Sequence, residues 1–314
     1  MTVIDLQKLE KALPPKRSVL CLGNFDGVHV GHRALILETI RQKELLKAQY
    51  PYIKCGAWFF RRAPLDIISG RNTPLITDFS QKLDVFSALG LDYAFVYEYE
   101  DIGALSPESF ISDVLKKDCG CVYAVCGYNF KFGVNASGDA NLLSKLMDGK
   151  VSVVDRVTLG QKNVCSSEIR RLIADGNISE VNSLLGRNYS IHGVILHGKM
   201  LGRKLGIPTI NQKIPSDLAI LKKGIYISRA LVGQKWLPSV SNIGVRPSVE
   251  NTDEINCETH IIGFDGDLYG KDVKVEFLHR LRNEIKFESI DMLKAQVNRD
   301  IEEAKAYFLG KQEA

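Results

Sequence analysis

The chain has 314 residues, of which 45% are hydrophobic and 25% are charged. This composition is typical of a folded globular protein and excludes a disordered or fibrous one, and the length favours two domains over a single core. The 41 basic and 37 acidic residues leave a net charge of only +4, which argues against a nucleic-acid partner.

The cysteines and the apolar runs bear on where the protein works. Its seven cysteines lie mostly in apolar, strand-like segments and form no CxxC pair, which favours buried, reduced thiols over disulfides or a zinc site. The first residues lack the apolar core of a signal peptide, and no apolar run reaches the roughly 18 residues of a membrane span. We therefore expect a cytoplasmic protein without a membrane partner.

The first half alternates apolar, strand-like runs with segments of helical periodicity. The strand-like runs are SVLCL (18–22), IKCGAWFF (53–60), YAFVYEY (93–99), VYAVCG (122–127) and VSVVD (151–155). Helix-start signals stand between them, since Asp78 is followed by Gln81 and Ser106 precedes Pro107. Strands that are apolar throughout and separated by helices indicate a parallel sheet covered on both faces. We predict an α/β, doubly wound domain over residues 1–186.

The second half has strand-like runs separated by Gly, Pro, Asn and Asp, with no helical pattern until its end. The runs are YSIHGVILHG, GIYISRALVG, WLPSVSNIG, INCETHIIG and KVEFLH, and they predict an antiparallel sheet or barrel over residues 187–314. Apolar side chains then recur at steps of three and four, which predicts an amphipathic helix packed on the barrel. These side chains are Ile290, Leu293, Val297, Ile301, Ala304 and Phe308.

A glycine-rich loop, GNFDGVHVGH, lies between the first strand and the first helix. Ligands of parallel sheets bind beyond the carboxyl ends of the strands, where helix N-termini also point. Gly23, Gly27 and Gly31 allow sharp turns and a close approach of the backbone to a ligand. His29 and His32 can both donate hydrogen bonds to phosphate oxygens there. The alternative is a turn whose histidines only satisfy loop carbonyls.

This loop resembles the HxGH signature of nucleotidylyltransferases. Its longer form is similar to that of the bacterial bifunctional riboflavin kinase/FMN adenylyltransferase family, also called FAD synthetase. The resemblance implies a Rossmann-like nucleotidylyltransferase domain in which His29 and His32 stabilise the triphosphate while the FMN phosphate attacks and pyrophosphate leaves. Such chemistry depends on positioning and charge stabilisation. By the same resemblance, the ATP contacts of the loop are Gly23, Asn24, Phe25 and Asp26.

Two further segments of the first half agree with this resemblance. GYNFKFG is similar to the family's G-x-(D/N)-F-x-F-G loop, with Asn129 at the acid or amide position. CSSEIRRL is similar to the element S-S-T-x-I-R, in which Ser166 and Arg170 match while Cys165 and Ser167 replace the first Ser and the Thr. Hydroxyls and an arginine at a helix start suit a phosphate, although an N-cap and a surface arginine are the alternative. The resemblance therefore adds Asn129, Ser166, Ser167 and Arg170 to the ATP site.

The second half carries a separate motif. GRKLGIPTIN closely resembles the G-R-x-x-G-(F/I)-P-T-x-N motif of riboflavin kinases, although a long hairpin connection is the alternative. The resemblance implies that Thr209 and Asn211 bind Mg²⁺ and ATP phosphate oxygens, in keeping with the few oxygen ligands that Mg²⁺ takes from proteins. Gly202 and Gly206 would let backbone amides lie against the phosphates of ATP.

Glu258 lies in an otherwise apolar strand pattern, where a carboxylate without a role is unfavourable. The family has a Glu here, two residues before a His (His260), and the resemblance makes Glu258 the predicted base toward the ribityl hydroxyl. An outward-facing strand glutamate is the alternative. We assign SNIGVRPSV and GFDGDLYG to loops, and we regard Arg246 and Arg282 as candidate phosphate or flavin contacts.

One segment departs from the family pattern. Where the family has F-x-P-H-P after the second strand, this chain has FRRAP, with Arg62 and Ala63 in place of a proline and a histidine. Arg61 and Arg62 either extend into water or partly replace the lost imidazole, whose proton exchange an arginine cannot reproduce. The departure predicts that FAD formation is the slower of the two activities.

These motifs cover nearly the whole chain in the family's domain order, and the chain is identified as a member of that family. The resemblance implies that it converts riboflavin to FMN and FMN to FAD with ATP and Mg²⁺. Its partners are then the small molecules riboflavin, FMN and ATP, with no nucleic acid and no membrane. The alternatives are a riboflavin kinase with weakened or lost adenylyltransferase activity and a flavin-binding regulator without turnover.

Overall fold

The computed structural model describes residues 1–5, 13–197, 202, 206–246 and 254–310, with the side chains of Arg246 and Glu254 excepted. The chain divides into two compact units, Met1–Ser166 and Ser167–Ala314. The division at 166/167 lies 20 residues before the predicted domain boundary at 186/187.

The first unit is an α/β structure. Its strands are β1 (Thr2–Asp5), β2 (Ser18–Leu22), β3 (Lys54–Phe60), β4 (Tyr93–Tyr97), β5 (Cys121–Gly127), β6 (Lys131–Phe132), β7 (Gly138–Asp139), β8 (Val151–Val154), β9 (Thr158–Leu159) and β10 (Lys162–Asn163). Its helices are α1 (Val30–Leu46), α2 (Pro64–Ser69), α3 (Phe79–Ala88), α4 (Tyr99–Ile102), α5 (Pro107–Ser109), which continues as a π-helix over Phe110–Asp118, and α6 (Ala140–Leu146).

Six of these strands, as far as the structure describes the chain, form one sheet in the order β1–β4–β3–β2–β5–β8. Every strand pair in it is parallel, so the predicted parallel sheet is confirmed. The chain moves outward from β2 through β3 to β4 and then returns to β5 on the other side of β2. The order therefore reverses between β2 and β5, which is where open parallel sheets bind ligands.

Helices cover both faces of this sheet, because the side chains of β2 alternate between two cores. Leu20 and Leu22 pack with Phe110 of the π-helix, whereas Val19 and Cys21 pack in another cluster that contains Ile36 of α1. All of β2 is buried, as expected of a strand covered on both sides.

The helix-start signals have the predicted geometry. Asp78 and Gln81 form a capping box at the start of α3, and the Ser106 hydroxyl accepts a hydrogen bond from the amide of Ser109 at 3.1 Å. Sequence analysis did not predict β1. Its 4 residues are too few to show a periodicity, and the strand exists because it pairs with β4 at the edge of the sheet.

The second unit is an antiparallel sheet with helices. Its helices are α7 (Ser166–Asp175, which begins at the last residue of the first unit), α8 (Ile178–Leu185) and α9 (Ile290–Gly310). Its strands are β11 (Tyr189–Val194), β12 (Ile210–Lys213), β13 (Gly224–Val232), β14 (Lys235–Arg246), β15 (Glu254–Ile261) and β16 (Asp272–Arg282). In the described part of the chain they are ordered β11–β16–β13–β14–β15–β12. An isolated bridge from Leu196 to Asn211 brings the two edge strands together, so the barrel is nearly closed.

Two expectations for this unit are wrong in part. Residues Ser241–Arg246 belong to β14. This confirms the strand-like run WLPSVSNIG, whereas the overlapping assignment of SNIGVRPSV to a loop fails for its first six residues, and residues 247–249 lie outside the described chain. The long connection predicted as the alternative for the glycine-rich motif ends in a strand, β12, whose four residues were not foreseen.

The terminal helix packs on the barrel as predicted. Ile301 and Ala304 are buried in one cluster with Ile227 and Val240 of the barrel strands. Ile290, the first member of the predicted stripe, is 60% exposed, because the contacts begin further along the helix. No helix within the described ranges is both long enough and apolar enough to span a membrane.

Candidate active sites

The loop GNFDGVHVGH occupies the carboxyl end of β2, at the point where the strand order reverses. Phe25, Gly27 and Val28 have φ values of 52°, 78° and 39°. For residues with a Cβ such left-handed backbone costs roughly 1–3 kcal/mol each, and it persists where the surroundings hold it. Glycine is required at Gly27, where φ is positive and an added Cβ would lie 3.0 Å from Ile76. The loop therefore has a strained backbone that its surroundings hold in one conformation.

His29 and His32 lie together at the start of α1. His29 is the N-cap, and its Nδ1 accepts a hydrogen bond from the amide of His32 at 3.2 Å. In the neutral ring the proton of His29 therefore lies on Nε2. The two imidazole rings stack with 3.6 Å between their centroids. A Cβ at Gly31 would lie 3.1 Å from the His29 ring, which explains the glycine between the histidines.

The other predicted ATP contacts divide between the two units. Gly23 and the exposed Asn129 follow β2 and β5, which are adjacent parallel strands, so both lie at the same sheet edge. The hydroxyl of Ser166 donates to the carbonyl oxygen of Asp26 at 3.0 Å, which ties this residue to the loop. Ser167 and Arg170 belong to the second unit, and their role stays a prediction.

The departure FRRAP has a structural role that sequence analysis missed. Arg61 donates hydrogen bonds to Asp5 at 2.5 Å and to Glu98 at 2.6 Å, and its guanidinium lies 4.7 Å from the centroid of the Phe79 ring. Arg61 therefore joins the carboxyl ends of β1, β3 and β4. The alternative in which both arginines extend into water is therefore wrong for Arg61, whereas Arg62 is exposed. Ala63 is the N-cap of α2 and makes no side-chain cap bond.

In the second unit, two predicted site residues and one further polar residue form a row across adjacent strands. Glu258 of β15 lies directly opposite Asn211 of β12 and, on its other side, opposite Asn242 of β14. Opposite residues of antiparallel strands share one face, with Cβ atoms roughly 4.5–5.5 Å apart. The structure therefore brings the predicted base and the predicted metal ligand Asn211 together.

Glu258 is exposed, so our argument that its carboxylate is unfavourable within an apolar strand is wrong. Its neighbours Cys257 and Thr259 are buried on the opposite face, as strand alternation requires. What supports the prediction instead is the shared row with Asn211 and Asn242. The catalytic role of Glu258 stays a prediction.

The remaining motif residues fit a phosphate and a magnesium ion. The amide of Ile207 donates to the carbonyl oxygen of Gly202 at 2.8 Å, and a Cβ at Gly202 would collide with the Ile207 carbonyl. Gly206 has φ 77°. Asn211 is buried and its Oδ1 accepts a hydrogen bond from Asn256 at 3.1 Å. Neutral amide and hydroxyl oxygens from Asn211 and Thr209 are hard donors that Mg²⁺ accepts alongside phosphate and water oxygens.

A small cavity of about 40 Å³ adjoins this row and was not foreseen. Asn242, Asn256, Glu258 and Glu284 line it. The Oδ1 of Asn242 is buried and has no hydrogen-bond partner among the described residues. The signal available in the sequence was Asn242 at the end of the strand-like run WLPSVSNIG, which sequence analysis did not select as a site residue. Arg282, a candidate ligand contact, instead donates two hydrogen bonds to Asp300 of α9, at 2.6 and 2.9 Å.

A larger cavity, of about 410 Å³, lies beside α8 and contains none of the predicted site residues. The amides that line it are used in packing: Asn182 donates to the Phe277 carbonyl at 2.8 Å and Asn188 donates to Glu276 at 2.9 Å. The candidate kinase site therefore rests on the row of Glu258, Asn211 and Asn242 and not on the volume of a cavity.

Comparisons with known proteins find matches to both halves of the chain. The FAD synthetase family model matches residues 12–168 and the riboflavin kinase family model matches residues 185–308. The bifunctional riboflavin kinase/FMN adenylyltransferase of Escherichia coli K12 is 35% identical over 301 residues, 94% of each chain. The enzyme of that name from Bacillus subtilis 168 is 30% identical over 93% of each chain.

A crystal structure described as a macrolide-efflux protein from Streptococcus pneumoniae is similar over 97% of this chain and 99% of its own, with a TM-score of 0.85 and 24% identity. At that identity the likeness concerns the fold alone. The two family models lie in the order in which the motifs predicted them, and the Escherichia coli relative matches across both. The chain belongs to the bifunctional riboflavin kinase/FMN adenylyltransferase family.

Proposed function

We propose that this chain phosphorylates riboflavin to FMN and transfers the adenylyl group of ATP to FMN, giving FAD. The observation that carries the proposal is the position of Glu258, directly opposite Asn211 in the barrel, in a chain whose other unit stacks His29 on His32 at a helix start. Glu258 and Asn211 suit phosphorylation, and His29 and His32 suit adenylyl transfer. A flavin-binding regulator without turnover would need neither pair.

For adenylyl transfer, a phosphate oxygen of FMN attacks the α-phosphorus of ATP, and the bond to the β-phosphate breaks to release pyrophosphate. His29 and His32 donate hydrogen bonds to the triphosphate as charge develops. Since Nδ1 of His29 caps the helix, Nε2–H is the donor of that ring. The N-terminus of α1 adds a positive potential at the same place.

For phosphorylation, Glu258 accepts the proton of the terminal ribityl hydroxyl while that oxygen attacks the γ-phosphorus of ATP and ADP leaves. A carboxylate does this well when it lies within hydrogen-bond reach of the hydroxyl. Thr209 and Asn211 would hold Mg²⁺, which, when bound, neutralises phosphate charge. The neighbouring backbone at Gly202 and Gly206 binds the phosphates.

We further propose that the protein works in the cytoplasm on small molecules. Six of its seven cysteines are buried, which suits a reducing compartment. The near-balanced charge of +4 gives no reason to expect nucleic acid.

The proposal is tested by chromatography of the products formed from riboflavin and MgATP. FMN together with FAD supports both activities. FMN alone indicates a kinase that has lost adenylyl transfer, and neither product indicates a binding protein without turnover.

The FRRAP segment gives a prediction for the relative rates. We expect FAD formation to be the slower activity, and we expect Arg62→Pro with Ala63→His to raise it by restoring an imidazole at the N-cap of α2. Arg61 stays in place, because its bonds to Asp5 and Glu98 hold three strand ends. Steady-state rates of both activities decide the question. Equal wild-type rates that the double substitution leaves unchanged would make the segment a passive turn.

The domain boundary gives another prediction. We propose that residues 187–314 form the kinase domain and fold alone, but that a fragment of residues 167–314 is more stable. Asn182 of α8 donates to the Phe277 carbonyl and accepts from the amide of Tyr189, and these two bonds contribute roughly 1 kcal/mol each. Urea unfolding and riboflavin phosphorylation should be measured on both fragments. A folded fragment without FMN formation contradicts the assignment.

A further inference from the structure

The strained loop after β2 is held by a segment that the proposed chemistry does not use. Phe25 and Val28 have positive φ values although both carry a side chain. Such conformations persist where neighbouring groups fix them. The groups that do so here come from residues 76–82, which lead into α3 and form its first turn.

Three hydrogen bonds tie this segment to three residues of the loop. The amide of Ile76 donates to Oδ1 of Asp26 at 2.9 Å, and the amide of Gly27 donates to the hydroxyl of Thr77 at 3.3 Å. Lys82 donates from Nζ to the carbonyl oxygen of Asn24 at 3.0 Å. The loop is thus held at three of the four positions from 24 to 27, at Asn24, Asp26 and Gly27, shortly before His29.

Lys82 is the unusual member of this set. Its exposed fraction is only 6%, and lysine is almost never buried unless it is paired. Nζ lies 4.9 Å from the centroid of the Phe59 ring, and the carbonyl oxygen of Asn24 is its one hydrogen-bond acceptor among the described residues. Burial lowers the pKa of Lys82 to about 8, and the nearby Asp26 carboxylate opposes that shift.

A buried ammonium costs stability, so stability does not explain why a lysine occupies this position. An apolar side chain of the same length would pack beside Phe59 without that cost. Methionine is such a side chain, but it could not donate a hydrogen bond to the Asn24 carbonyl. The contact between Lys82 and the loop therefore accounts for the residue.

We infer that Lys82 is a positioning residue for adenylyl transfer: its hydrogen bond to the Asn24 carbonyl holds the loop between β2 and α1 in the conformation that places the rings of His29 and His32. The inference rests on the adenylyl-transfer function proposed above. Lys82 acts through the loop and need not touch the substrate.

The test compares Lys82→Met, Lys82→Arg and the control Lys43→Met in the full chain. Lys43 is a suitable control because it is also largely buried and pairs with Asp92 at 3.3 Å, outside the loop. For Lys82→Met we expect kcat of FAD formation to fall roughly 10- to 100-fold, as small displacements of catalytic groups do. KM for ATP should change less than about threefold, because substrate binding is not what the lysine supports.

Three further measurements separate positioning from folding. Lys82→Arg, which keeps a charged donor, should recover most of the lost kcat, and Lys43→Met should keep the wild-type value. The thermal midpoint of Lys82→Met should not fall, since the buried charge is gone. A wild-type kcat in Lys82→Met, or a loss that follows a lowered midpoint and appears equally in Lys43→Met, would overturn the inference.

NMR of the histidine rings reads their position without turnover. Resonances of His29 and His32 should shift in Lys82→Met and not in Lys43→Met. If the wild type forms no FAD, the proposed function fails, yet the ring resonances still decide the inference. Unchanged ring resonances in Lys82→Met contradict it, whatever the activity.

Discussion

Replacing Glu258 by glutamine is expected to slow FMN formation by roughly 10²- to 10⁴-fold, the contribution of a positioned general base. Glutamine keeps the shape of the side chain but cannot accept the ribityl proton. FAD formation from added FMN should stay at the wild-type rate, because Glu258 lies in the second unit and the stacked histidines lie in the first. Separate assays of the two reactions on one sample measure both effects.

The small cavity that Glu258 lines is also lined by a second carboxylate, that of Glu284. Comparing the two carboxylates therefore tests which of them is the base. If Glu258 is the base, Glu284→Gln should slow FMN formation much less than Glu258→Gln does. Glu302→Gln serves as the surface control, since Glu302 is exposed and forms an ion pair with Lys305, three residues further along the same helix, at 2.8 Å. Wild-type kinase turnover in Glu258→Gln, or a larger loss in Glu284→Gln, would remove Glu258 from the role of base.

The positions of the two sites followed from local sequence because both depend on backbone order. A glycine-rich loop between an apolar strand and a helix must lie at the carboxyl edge of a parallel sheet, and that is where His29 and Asn129 are found. The N-cap residues of α3 and α5 form hydrogen bonds with residues three positions further along the chain, so they too could be predicted from local sequence.

What sequence analysis missed depends on contacts between distant segments. Arg61 has its role only because Asp5 and Glu98 end neighbouring strands, and β1, which supplies Asp5, is too short for its pattern to be recognised. Lys82 did leave a signal, since it stands on the apolar stripe of α3 between Phe79 and Phe86. A lysine on a buried helix face indicates a partner, but the periodicity does not say which one.

In the barrel, too, prediction from sequence was limited by contacts between distant segments. Asn242 belonged both to the strand-like run WLPSVSNIG and to the segment SNIGVRPSV that was assigned to a loop, and pairing with β13 and β15 decides for the strand. Of the two grounds for selecting Glu258, the argument from an apolar strand failed because this side chain lies on an exposed face of β15, whereas the resemblance to the family does not depend on burial. Register decides which residues share a face, and register is fixed by the pairing of strands rather than by the composition of any one of them.

Replacing His29 or His32 by alanine is expected to lower FAD formation by roughly 10²-fold or more, the cost of removing a donor to developing negative charge, while FMN formation stays unchanged. The two variants should differ in stability. His29 caps α1 through Nδ1, so His29→Ala should also lower the free energy of unfolding by about 1 kcal/mol. His29 is the N-cap residue of α1 and His32 lies inside the helix, so His32→Ala removes no N-cap and should be less destabilising.

His29→Asn separates the two roles of His29, because asparagine is a preferred N-cap residue whose side-chain oxygen can accept the His32 amide. It should restore most of the stability lost in His29→Ala. FAD formation should stay low, since the side chain of asparagine does not extend to the position of the imidazole Nε2. Denaturant unfolding and FAD assays on the three variants provide the comparison. If His29→Asn regained both stability and activity, the imidazole would serve only as a helix cap, and His32 alone would remain as the donor to the triphosphate.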